Sequence, residues 1–543
     1  MIEVDGNLTK EIYLENELNT LVRLNSLGFL PFQQKRASIA VSCKDFWVVN
    51  ARNNQEVFRG ETSGPLYNED TGEQLFTADF SEITVPGVYY LRVDQIGNSI
   101  QFEIGNNIYV EPFRTVMLGM YLWRCGTNVN ATYKGVTFSH APCHLEDAGT
   151  DFLDGYEKNK PAAGGWHDAG DYNKYVVNAG ISLYLMFMAW EQFKERIKKI
   201  DYLPDQTSES NLPHYLQEIK WEIDWLFSMQ LENGAVSHKI STKEFCGFIM
   251  PEEEKDKRYF CSWGTTATAD FCSIMAAAYR AFKEYDNRYA DKCLNAAIKS
   301  YHFLIEHPFD IAPDQSQFHT GMYAAEDEVH RLWAAAEMWE STGEIQYLND
   351  FESNALKQSQ RIDLIFNWKD TKNLGMIRYL FSSRTGKNRD LVEAISTELL
   401  SVADSMVRIA DKHGYNRSLG NFYCWGANGN LLNQVLVLQA AFTIKANSEY
   451  LNTALNGLGF IFGRNRYCRS FVTGIGFNPP LFPHDRRSAA DKIEMPWPGY
   501  LVGGPAESAN DYQDSAEDCR TNEIAINWNA ALIYALAGFL FWE

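Results

Sequence analysis

Two aspartates lie three positions apart in a glycine-rich decapeptide, Gly164–Asn173, which reads Gly-Gly-Trp-His-Asp-Ala-Gly-Asp-Tyr-Asn. Glycine adopts backbone conformations that other residues avoid, so this segment can hold the short side chains of Asp168 and Asp171 at the edge of a cavity. Paired carboxylates of this kind suit acid–base chemistry. A structural alternative is that Asp171 is the N-cap of a helix predicted for the apolar segment Tyr175–Trp190.

A third carboxylate, Glu523, immediately precedes the apolar stretch Ile524–Phe541 near the end of the chain. This pattern predicts a helix that begins almost at Glu523. Burial near such a helix raises the pKa of a carboxyl group and keeps it protonated, as a general acid requires. The alternative is a glutamate in the first helical turn that interacts with the helix dipole.

A proline-containing segment, Asn478–Ser488, includes His484 and Arg486. Proline disfavours regular helix and sheet, so we expect an extended loop. The two basic side chains could reach the hydroxyl groups of a ligand from such a loop. Alternatively, they are ordinary surface charge.

Cys125, Cys143, His144 and His167 form a candidate metal site of the Cys₂His₂ type, and His167 directly precedes Asp168. Zinc favours these ligands in a closed tetrahedral site. Seventeen residues separate the two cysteines, which is not the spacing of a zinc finger. A Cys125–Cys143 disulfide or buried free thiols are the alternatives.

The elements that must position these residues change character near residue 107. Residues 1–107 alternate short apolar runs with Asn, Asp, Gly and Pro turns, which is typical of a small immunoglobulin-like β-sandwich. The clearest predicted strands are Ser38–Ser42, Phe46–Val49, Leu75–Phe80 and Gly87–Val93.

In residues 108–543 apolar positions recur with a helical period, which predicts about a dozen helices joined by long loops. The clearest are Thr265–Tyr285, Asp291–Glu306, Val329–Thr342, Asp390–Lys412 and Asn430–Asn447. A closed double ring of helical hairpins fits this number of helices, but periodicity alone does not distinguish it from other helical arrangements.

Composition limits the partners and the compartment. The 543-residue chain carries 49 basic and 70 acidic residues, a net charge of −21 that argues against a nucleic-acid partner. Its apolar ending, Ala530–Trp542, is too short to span a bilayer, so we expect no membrane partner. No secretory signal follows Met1, which leaves an intracellular protein or a secreted protein whose signal has been removed. The ten cysteines lack the spacing of a disulfide framework, so we expect reduced thiols.

The decapeptide, the Pro-His-Asp-Arg-Arg-Ser sequence at 483–488 and the Thr-Asn-Glu-Ile-Ala-Ile-Asn-Trp-Asn-Ala sequence at 521–530 occur in this order. Together they closely resemble glycoside hydrolase family nine, the inverting β-1,4-glucanases, and the resemblance extends over essentially the whole chain. The β region resembles that of the subgroup with an immunoglobulin-like domain before the catalytic domain. The resemblance implies an (α/α)6 barrel for residues 108–543.

Residue by residue, the resemblance implies that Asp171 is the catalytic base, that Asp168 helps to hold the water, and that Glu523 is the general acid. An inverting hydrolase keeps its two opposed carboxyl groups roughly 6.5–9.5 Å apart, so that a water fits between them. His484 and Arg486 match sugar-hydroxyl contacts beside the bond that is cut.

The resemblance also implies further ligand contacts. Trp425 and Trp528 are candidate stacking faces for a sugar, with core packing as the alternative for each, and His238 is an additional candidate for substrate binding. Members of the immunoglobulin-bearing subgroup carry a structural zinc with ligands at positions that match Cys125, Cys143, His144 and His167.

One departure concerns calcium, which also occurs in the family. Relatives commonly have Asp-Glu directly before Arg-Leu-Trp-Ala-Ala, where this chain has Val329-His330, and its own Asp327-Glu328 pair lies two residues further upstream. We therefore assign no calcium ligands.

The expected function is endo-acting hydrolysis of β-1,4-glucosidic bonds in cellulose or cello-oligosaccharides by a monomeric enzyme. An exo-acting cellodextrinase and an exo-β-glucosaminidase on chitosan oligosaccharides are the alternatives within the family. A carbohydrate-binding protein with an inactive barrel is the non-enzymatic alternative.

Overall fold

The computed structural model describes residues 20–153, 159–202 and 211–542. The N-terminal strands are β1 (Val22–Arg23), β2 (Arg36–Ile39), β3 (Asp45–Asn50), β4 (Glu56–Glu61), β5 (Ser63–Asn68), β6 (Glu73–Asp79), β7 (Gly87–Val93), β8 (Gly97–Asn98) and β9 (Phe102–Ile104). They form two antiparallel sheets with orders β1-β2-β6-β5 and β4-β3-β7-β8, and β9 pairs with β7. The predicted sandwich is confirmed, and residues 1–19 of the predicted domain lie outside the described residues.

The sandwich encloses its own apolar core between the two sheets. Alternate residues of β7, such as Tyr89 and Leu91, point inward and are buried. The ring of Phe29 packs edge-on against Phe80 and Phe102, with centroids 5.1 and 5.3 Å apart. This core is separate from the larger apolar cluster of the helical part, which indicates two structural units; Leu30 and Leu75 of the first unit pack into the larger cluster at the interface.

Three of the four predicted strands agree with the structure to within two residues, and Gly87–Val93 has the predicted bounds. The strand predicted at Ser38–Ser42 is wrong at both ends, because the strand is Arg36–Ile39. The backbone N–H of Ala40 still bonds to Leu21, at 3.0 Å, but the chain bends immediately afterwards.

Within the described ranges, twelve helices of ten residues or more follow the sandwich. They are α1 (Val110–Leu122), α2 (Val176–Ile197), α3 (His214–Met229), α4 (Thr265–Phe282), α5 (Asn287–Glu306), α6 (Glu328–Thr342), α7 (Ile345–Ala355), α8 (Lys372–Phe381), α9 (Arg389–Lys412), α10 (Ala427–Ile444), α11 (Ser448–Ile461) and α14 (Ile526–Ala537). Two short helices, α12 (Arg486–Ala490) and α13 (Cys519–Asn522), lie between α11 and α14. The helix-rich class is confirmed. None of these described helices is both long and apolar enough to cross a membrane.

The five clearest predicted helices are present, with ends displaced by at most four residues. The helix predicted at Ile524–Phe541 is shorter at both ends, because α14 begins at Ile526 and ends at Ala537. The apolar segment that was predicted to end at Trp190 continues as α2 to Ile197, and its added part, residues 191–196, is mostly polar and only partly buried.

Buried and half-exposed helices alternate along the chain. Every residue of α2 from Val176 to Trp190 is buried, as in a helix that is apolar on all sides. In α9 the buried residues recur every three or four positions and leave the opposite face exposed; they are Leu391, Ile395, Leu399, Ala403, Met406 and Ala410. The buried helices contact one another in the order α10, α14, α2, α4, α6, α8.

Small sheets in the connecting loops position the decapeptide. Strands β12 (Asp151–Phe152), β13 (Lys174–Tyr175), β14 (Lys239–Ser241) and β15 (Tyr259–Phe260) form one sheet in the order β12-β15-β14-β13. The hairpin of β10 (Val129–Tyr133) and β11 (Val136–His140) precedes the loop that contains two of the candidate metal ligands. Since β13 leads directly into α2, this sheet anchors the end of the decapeptide against the loop that follows α3.

Candidate active site

The decapeptide is a loop that ends where β13 begins. Gly164 and Gly165 both have positive φ, +96° and +76°, which few other residues adopt. A Cβ at Gly165 would lie 2.8 Å from Cγ of the buried Trp225, so a side chain here would displace that indole. The N-cap of α2 is Tyr175, so the alternative in which Asp171 caps this helix is wrong.

Asp168 is held from two sides. It is 2% exposed; Asn178 Nδ2 donates to its Oδ1 at 2.8 Å, and the Tyr323 hydroxyl donates to its Oδ2 at 2.7 Å. Burial and repulsion by Asp171 raise the pKa of Asp168 well above its usual value, although both hydrogen bonds oppose that rise. The orientation of this carboxyl group is therefore set by the protein.

Asp171 is 6% exposed and has longer hydrogen bonds. The backbone N–H of Asn173 donates to Oδ1 at 3.1 Å, and the Tyr175 hydroxyl donates to Oδ2 at 3.2 Å. Burial raises the pKa of Asp171, while the positive charge of Arg486 acts in the opposite direction. Of the two aspartates, Asp171 is the one that a nearby cation helps to keep ionised.

Glu523 lies in an extended segment with φ −70° and ψ 154°, and α14 begins three residues later. The alternative of a glutamate in the first helical turn is therefore wrong. Trp425 Nε1 donates to Glu523 Oε2 at 3.2 Å, and the Glu523 carbonyl accepts from Gly503 N–H at 2.9 Å. Burial, and after it repulsion by Asp171 and Asp168, raises the pKa of Glu523 well above its usual value.

Backbone hydrogen bonds bring the three predicted segments together. The N–H of Ile526 donates to the Asp168 carbonyl at 2.9 Å, although these residues are far apart in the sequence. Arg486 donates to the Gly170 carbonyl through its backbone N–H at 3.2 Å and through Nη1 at 2.7 Å. A Cβ at Gly170 would overlap the carbonyl oxygen of His484, so only glycine allows this approach.

Three of the predicted substrate-binding residues lie beside these carboxylates. The Trp425 side chain is 55% exposed, so much of its surface is free to contact a ligand. His484 Nδ1 lies 2.6 Å from the Ala516 carbonyl, which orients its ring. Arg486 is the first residue of the short helix α12, whose N-cap is Asp485. The predicted extended loop is therefore wrong from Arg486 onward.

His238 and Trp528 are less accessible. His238 is 1% exposed, its Nε2 lies 2.8 Å from the Met322 carbonyl, and burial lowers its pKa to about 4. Trp528 is half-buried, and its ring lies so close to Gly426 and Gly429 that a Cβ at either would overlap it. Substrate contacts of these two residues stay predictions, since packing alone accounts for both positions.

The four predicted metal ligands meet in one buried cluster, and their donor atoms all lie within 4.8 Å of one another. The separations are 3.4 Å for Cys125 Sγ to His144 Nδ1, 3.6 Å for Cys143 Sγ to His167 Nε2, and 4.0 Å between the sulfurs. Tetrahedral zinc with bonds of about 2.0–2.3 Å needs donor separations of roughly 3.3–3.8 Å. The sulfur separation contradicts the alternative Cys125–Cys143 disulfide, which needs about 2.05 Å.

Buried charges connect this cluster to the decapeptide. His144 Nε2 lies 2.8 Å from Glu254 Oε2, and Arg258 Nη1 lies 3.7 Å from the same oxygen. Arg258 Nη1 also donates to the carbonyl of Tyr172, the residue after Asp171, at 2.8 Å. The sequence carries no signal that would have identified Glu254 or Arg258, because nothing in their spacing relates them to the ligands.

Sequence reasoning also missed the donors to the aspartates. Asn178 and Tyr175 follow the decapeptide closely, so their proximity along the chain was a usable signal. Tyr323 belongs to a distant loop, where it has a left-handed φ of +41°. Its ring packs against Tyr175 and Trp368, with centroids 4.9 and 5.0 Å away, and no motif marks it.

The departure at Val329-His330 has a structural role within the helical domain. His330 is buried in α6, and its Nδ1 lies 2.6 Å from Asp270 Oδ1 in α4. Asp327 accepts from Arg331 Nε at 2.7 Å. These carboxylates have partners within the protein, and calcium stays without assigned ligands.

Comparison with known sequences identifies both parts of the chain. Residues 109–536 match Glycosyl hydrolase family 9, and residues 18–98 match the Cellulase N-terminal ig-like domain. The chain belongs to glycosyl hydrolase family 9. This family 9 protein is accordingly a glycoside hydrolase of the cellulase type, with an immunoglobulin-like domain before its helical domain.

Several relatives cover nearly the whole family 9 chain. Endoglucanase D of Acetivibrio thermocellus is 50% identical, over 96% of this chain and 84% of that protein. A cellodextrinase of Butyrivibrio fibrisolvens is 32% identical, over 96% and 99% of the two chains. The structure of a Zn-binding triple mutant of the family 9 endoglucanase J30 is 30% identical with a TM-score of 0.88, over 94% and 99% of the two chains.

Proposed function

We propose that this family 9 enzyme is an inverting endo-β-1,4-glucanase that acts on cellulose or cello-oligosaccharides. One observation carries the proposal: Glu523 shares a site with Asp168 and Asp171, but the environments of the carboxyl groups differ. Burial, and after it the two negative aspartates, raises the pKa of Glu523 well above its usual value and favours its protonated form. Burial also raises the pKa of Asp171, but there the guanidinium of Arg486 is the largest opposing influence. The 50% identity to Endoglucanase D supports a β-1,4-glucan as the substrate class.

In the proposed reaction, Glu523 donates its proton to the glycosidic oxygen while the bond from that oxygen to the anomeric carbon breaks. A water molecule attacks the anomeric carbon from the opposite face, and Asp171 accepts the proton that the water loses. Asp168, which Asn178 and Tyr323 orient, helps to hold this water. The product has inverted configuration, and proton exchange with solvent then restores both catalytic groups.

The helix arrangement supports an (α/α)6 barrel, which we infer for this domain. Six mostly buried helices (α2, α4, α6, α8, α10 and α14) alternate along the chain with six others (α1, α3, α5, α7, α9 and α11). Contacts of α14 with both α10 and α2 bring the last buried helix next to the first. A domain boundary between residues 107 and 108 fits the gap between the end of β9 and the start of α1.

We propose that the Cys₂His₂ cluster holds a structural zinc ion. Its buried donors have separations close to those of tetrahedral zinc, and Glu254 accepts from the outer nitrogen of His144 as carboxylates commonly do behind zinc-bound histidines. Four protein ligands leave no coordination position for water, so the ion would tie the helix end at Cys125 and the loop at Cys143 to the residue before Asp168.

A product time course on cellulose, cellotetraose and chitosan tetramer, with anomers followed by NMR, tests the proposal. We expect internal cleavage of cellulose, α-anomers as first products from cellotetraose, and no reaction with the chitosan tetramer. Initial β-anomers would exclude inversion. Release only from chain ends would favour the cellodextrinase alternative, and release of glucosamine would favour the exo-β-glucosaminidase. Protein with Glu523→Gln is the control for contaminating activity.

A further inference from the structure

Two residues before Trp425, Tyr423 contacts the immunoglobulin-like domain. Its hydroxyl donates to Oδ2 of Asp70, which lies in the turn between β5 and β6. His413 Nε2 lies 3.1 Å from the same oxygen, and the Asp70 side chain is only 5% exposed. A buried carboxylate of the first domain is therefore bonded to two side chains of the second.

The turn that presents Asp70 is itself fixed. Asn68 Nδ2 donates to Asp70 Oδ1, and Asn68 Oδ1 accepts the backbone N–H of Gly414 from the helical domain at 2.8 Å. The turn closes through a 2.9 Å bond from the Gly72 N–H to the Asn68 carbonyl, with Gly72 in the left-handed region at φ +69°. Both carboxylate oxygens of Asp70 thus have hydrogen-bond partners, which fix the orientation of the side chain.

The segment that carries Tyr423 is otherwise open. Its neighbours Asn421 and Phe422 are exposed, as is Trp425 at its end. The guanidinium of the buried Arg417 lies over the Tyr423 ring, 4.3 Å from its centroid. Tyr423 is thus held by a cation on its ring face and by Asp70 at its hydroxyl, whereas the residues around it have large solvent-facing surfaces.

This anchored tyrosine is close to the proposed acid. Only Cys424 separates it from Trp425, whose indole N–H donates to Glu523 at 3.2 Å. Gly426 is the N-cap of α10; it lies in the left-handed region, at φ +76°, in close contact with the ring of Trp528. If Tyr423 is displaced, the backbone of Cys424 and Trp425 must therefore shift. This stretch orients the indole N–H towards Glu523.

We propose that Asp70 of the immunoglobulin-like domain is a positioning residue for the general acid, because it holds Tyr423 and thereby the tryptophan that donates to Glu523. This inference rests on the proposed role of Glu523. The immunoglobulin-like domain would then contribute to catalysis indirectly. Asp70 would act through Tyr423 and Trp425, without contact with the substrate or the attacking water.

The test begins with Asp70→Asn, which keeps the shape of the side chain but removes the charge that strengthens its bonds to Tyr423 and His413. We expect kcat on a soluble glucan to fall about fivefold, with KM changed by less than about twofold. A donor to a carboxylate favours the ionised form, so weakening the Trp425 bond should move the alkaline limb of the kcat profile to higher pH.

No ionisable group beside Glu523 is replaced in this variant, whereas beside Asp70 the pKa of His413 falls because the carboxylate that raises it is lost. The groups that act on Glu523 or Asp70 are Asp168, Asp171, Tyr323, Arg486, Cys519, His413, Arg417 and Tyr423.

Glu73→Gln is the matched control. Glu73 lies just after the same turn and bonds across the same domain interface, to Tyr415 at 2.6 Å and, within its own domain, to Arg23 at 2.9 Å. Among the described residues, the Glu73 side chain forms its hydrogen bonds and ion pairs with Arg23, Tyr415 and Arg466, and none with residues 421–425. We expect Glu73→Gln to lower the Tm about as much as Asp70→Asn, with an unchanged kcat and pH profile.

A double-mutant cycle decides between positioning and general loosening. In a Trp425→Phe background the indole N–H is absent, so adding Asp70→Asn should change kcat by less than about 1.5-fold. An undiminished effect of Asp70→Asn in that background, or equal activity losses in Asp70→Asn and Glu73→Gln, would overturn the proposal. Near-wild-type activity of Glu523→Gln would instead overturn the proposed function, so the two failures are distinguishable.

Discussion

The aspartate side of the site, formed by the decapeptide Gly164–Asn173, and the glutamate side, formed by Trp425 and Glu523, are supported in opposite ways. Asp168 and Asp171 are almost inaccessible; their side-chain donors Asn178 and Tyr175 are buried, Tyr323 is half-buried, and a buried Cys/His cluster lies behind them. Trp425 is 55% exposed, and its segment is held from outside by the immunoglobulin-like domain.

The difference matches what the two sides are proposed to do. A base and its partner must hold one small water molecule at a defined position, which a rigid buried loop achieves. An acid must meet the leaving part of a long sugar chain, so its surroundings must remain open. The aspartate side should therefore be sensitive to changes at the metal cluster, and the glutamate side to changes at the domain interface.

The largest effect should come from the carboxylates themselves. Glu523→Gln and Asp171→Asn each remove one proton transfer, so we expect kcat to fall by about 10²–10⁴-fold with the fold intact. Steady-state rates on cellotetraose, with circular dichroism to monitor folding, provide the measurement. Glu517→Gln, at an exposed neighbour of the glutamate side, should retain full activity. Near-normal turnover in either active-site variant would refute the assignment.

The second-largest effect should come from the loss of a proposed metal ligand behind the aspartate side. Cys143→Ser should reduce bound zinc from about one equivalent and lower the free energy of unfolding by on the order of 4 kcal/mol or more. Metal analysis and thermal unfolding measure the two effects. Cys272→Ser is the control, because this equally buried thiol bonds to the Ala297 carbonyl, which serine can also do. Full zinc content in Cys143→Ser would count against the site.

A smaller effect, on zinc affinity, should come from replacing Glu254, the partner of His144, and it tests whether the two sides are independent. Glu254→Gln keeps the side-chain shape but removes the charge next to His144, so zinc affinity should fall about 10–100-fold. Competition with a chromophoric chelator measures this affinity. Asp70→Asn, on the glutamate side, should leave zinc affinity unchanged. Equal affinity losses in both variants would mean that the two sides are not independent.

The smallest effect concerns pH. The Tyr175 hydroxyl donates to Asp171 and thereby lowers its pKa, so Tyr175→Phe should raise the pKa of Asp171. A base must be ionised, and the rate rises with pH through its pKa, so the acidic limb of kcat/KM should move to higher pH. Tyr534→Phe removes a buried hydroxyl that bonds to Gln192 instead, and should leave the limb in place. A shift to lower pH in Tyr175→Phe would contradict the proposed base.

Local sequence was sufficient for much of the architecture. The alternation in Gly87–Val93 and the helical period in Asp390–Lys412 each predict their element, because both depend on which face of a short segment is apolar. The boundaries were less accurate. Glu523 was expected at the edge of a helix, but it lies in an extended segment, where its carbonyl accepts a hydrogen bond from the Gly503 N–H.

The sequence by itself determined the two-part organisation and was enough to predict the three carboxylates and the four candidate metal ligands, since these depend on residue type, local spacing and motifs. Only the tertiary structure decided that Tyr323 and Arg258 support the aspartate side and that Asp70 holds the segment next to Glu523. Each of these residues acts across a contact between segments that are distant in the chain. Such contacts form when separately folded elements pack together, and no periodicity within either segment encodes them.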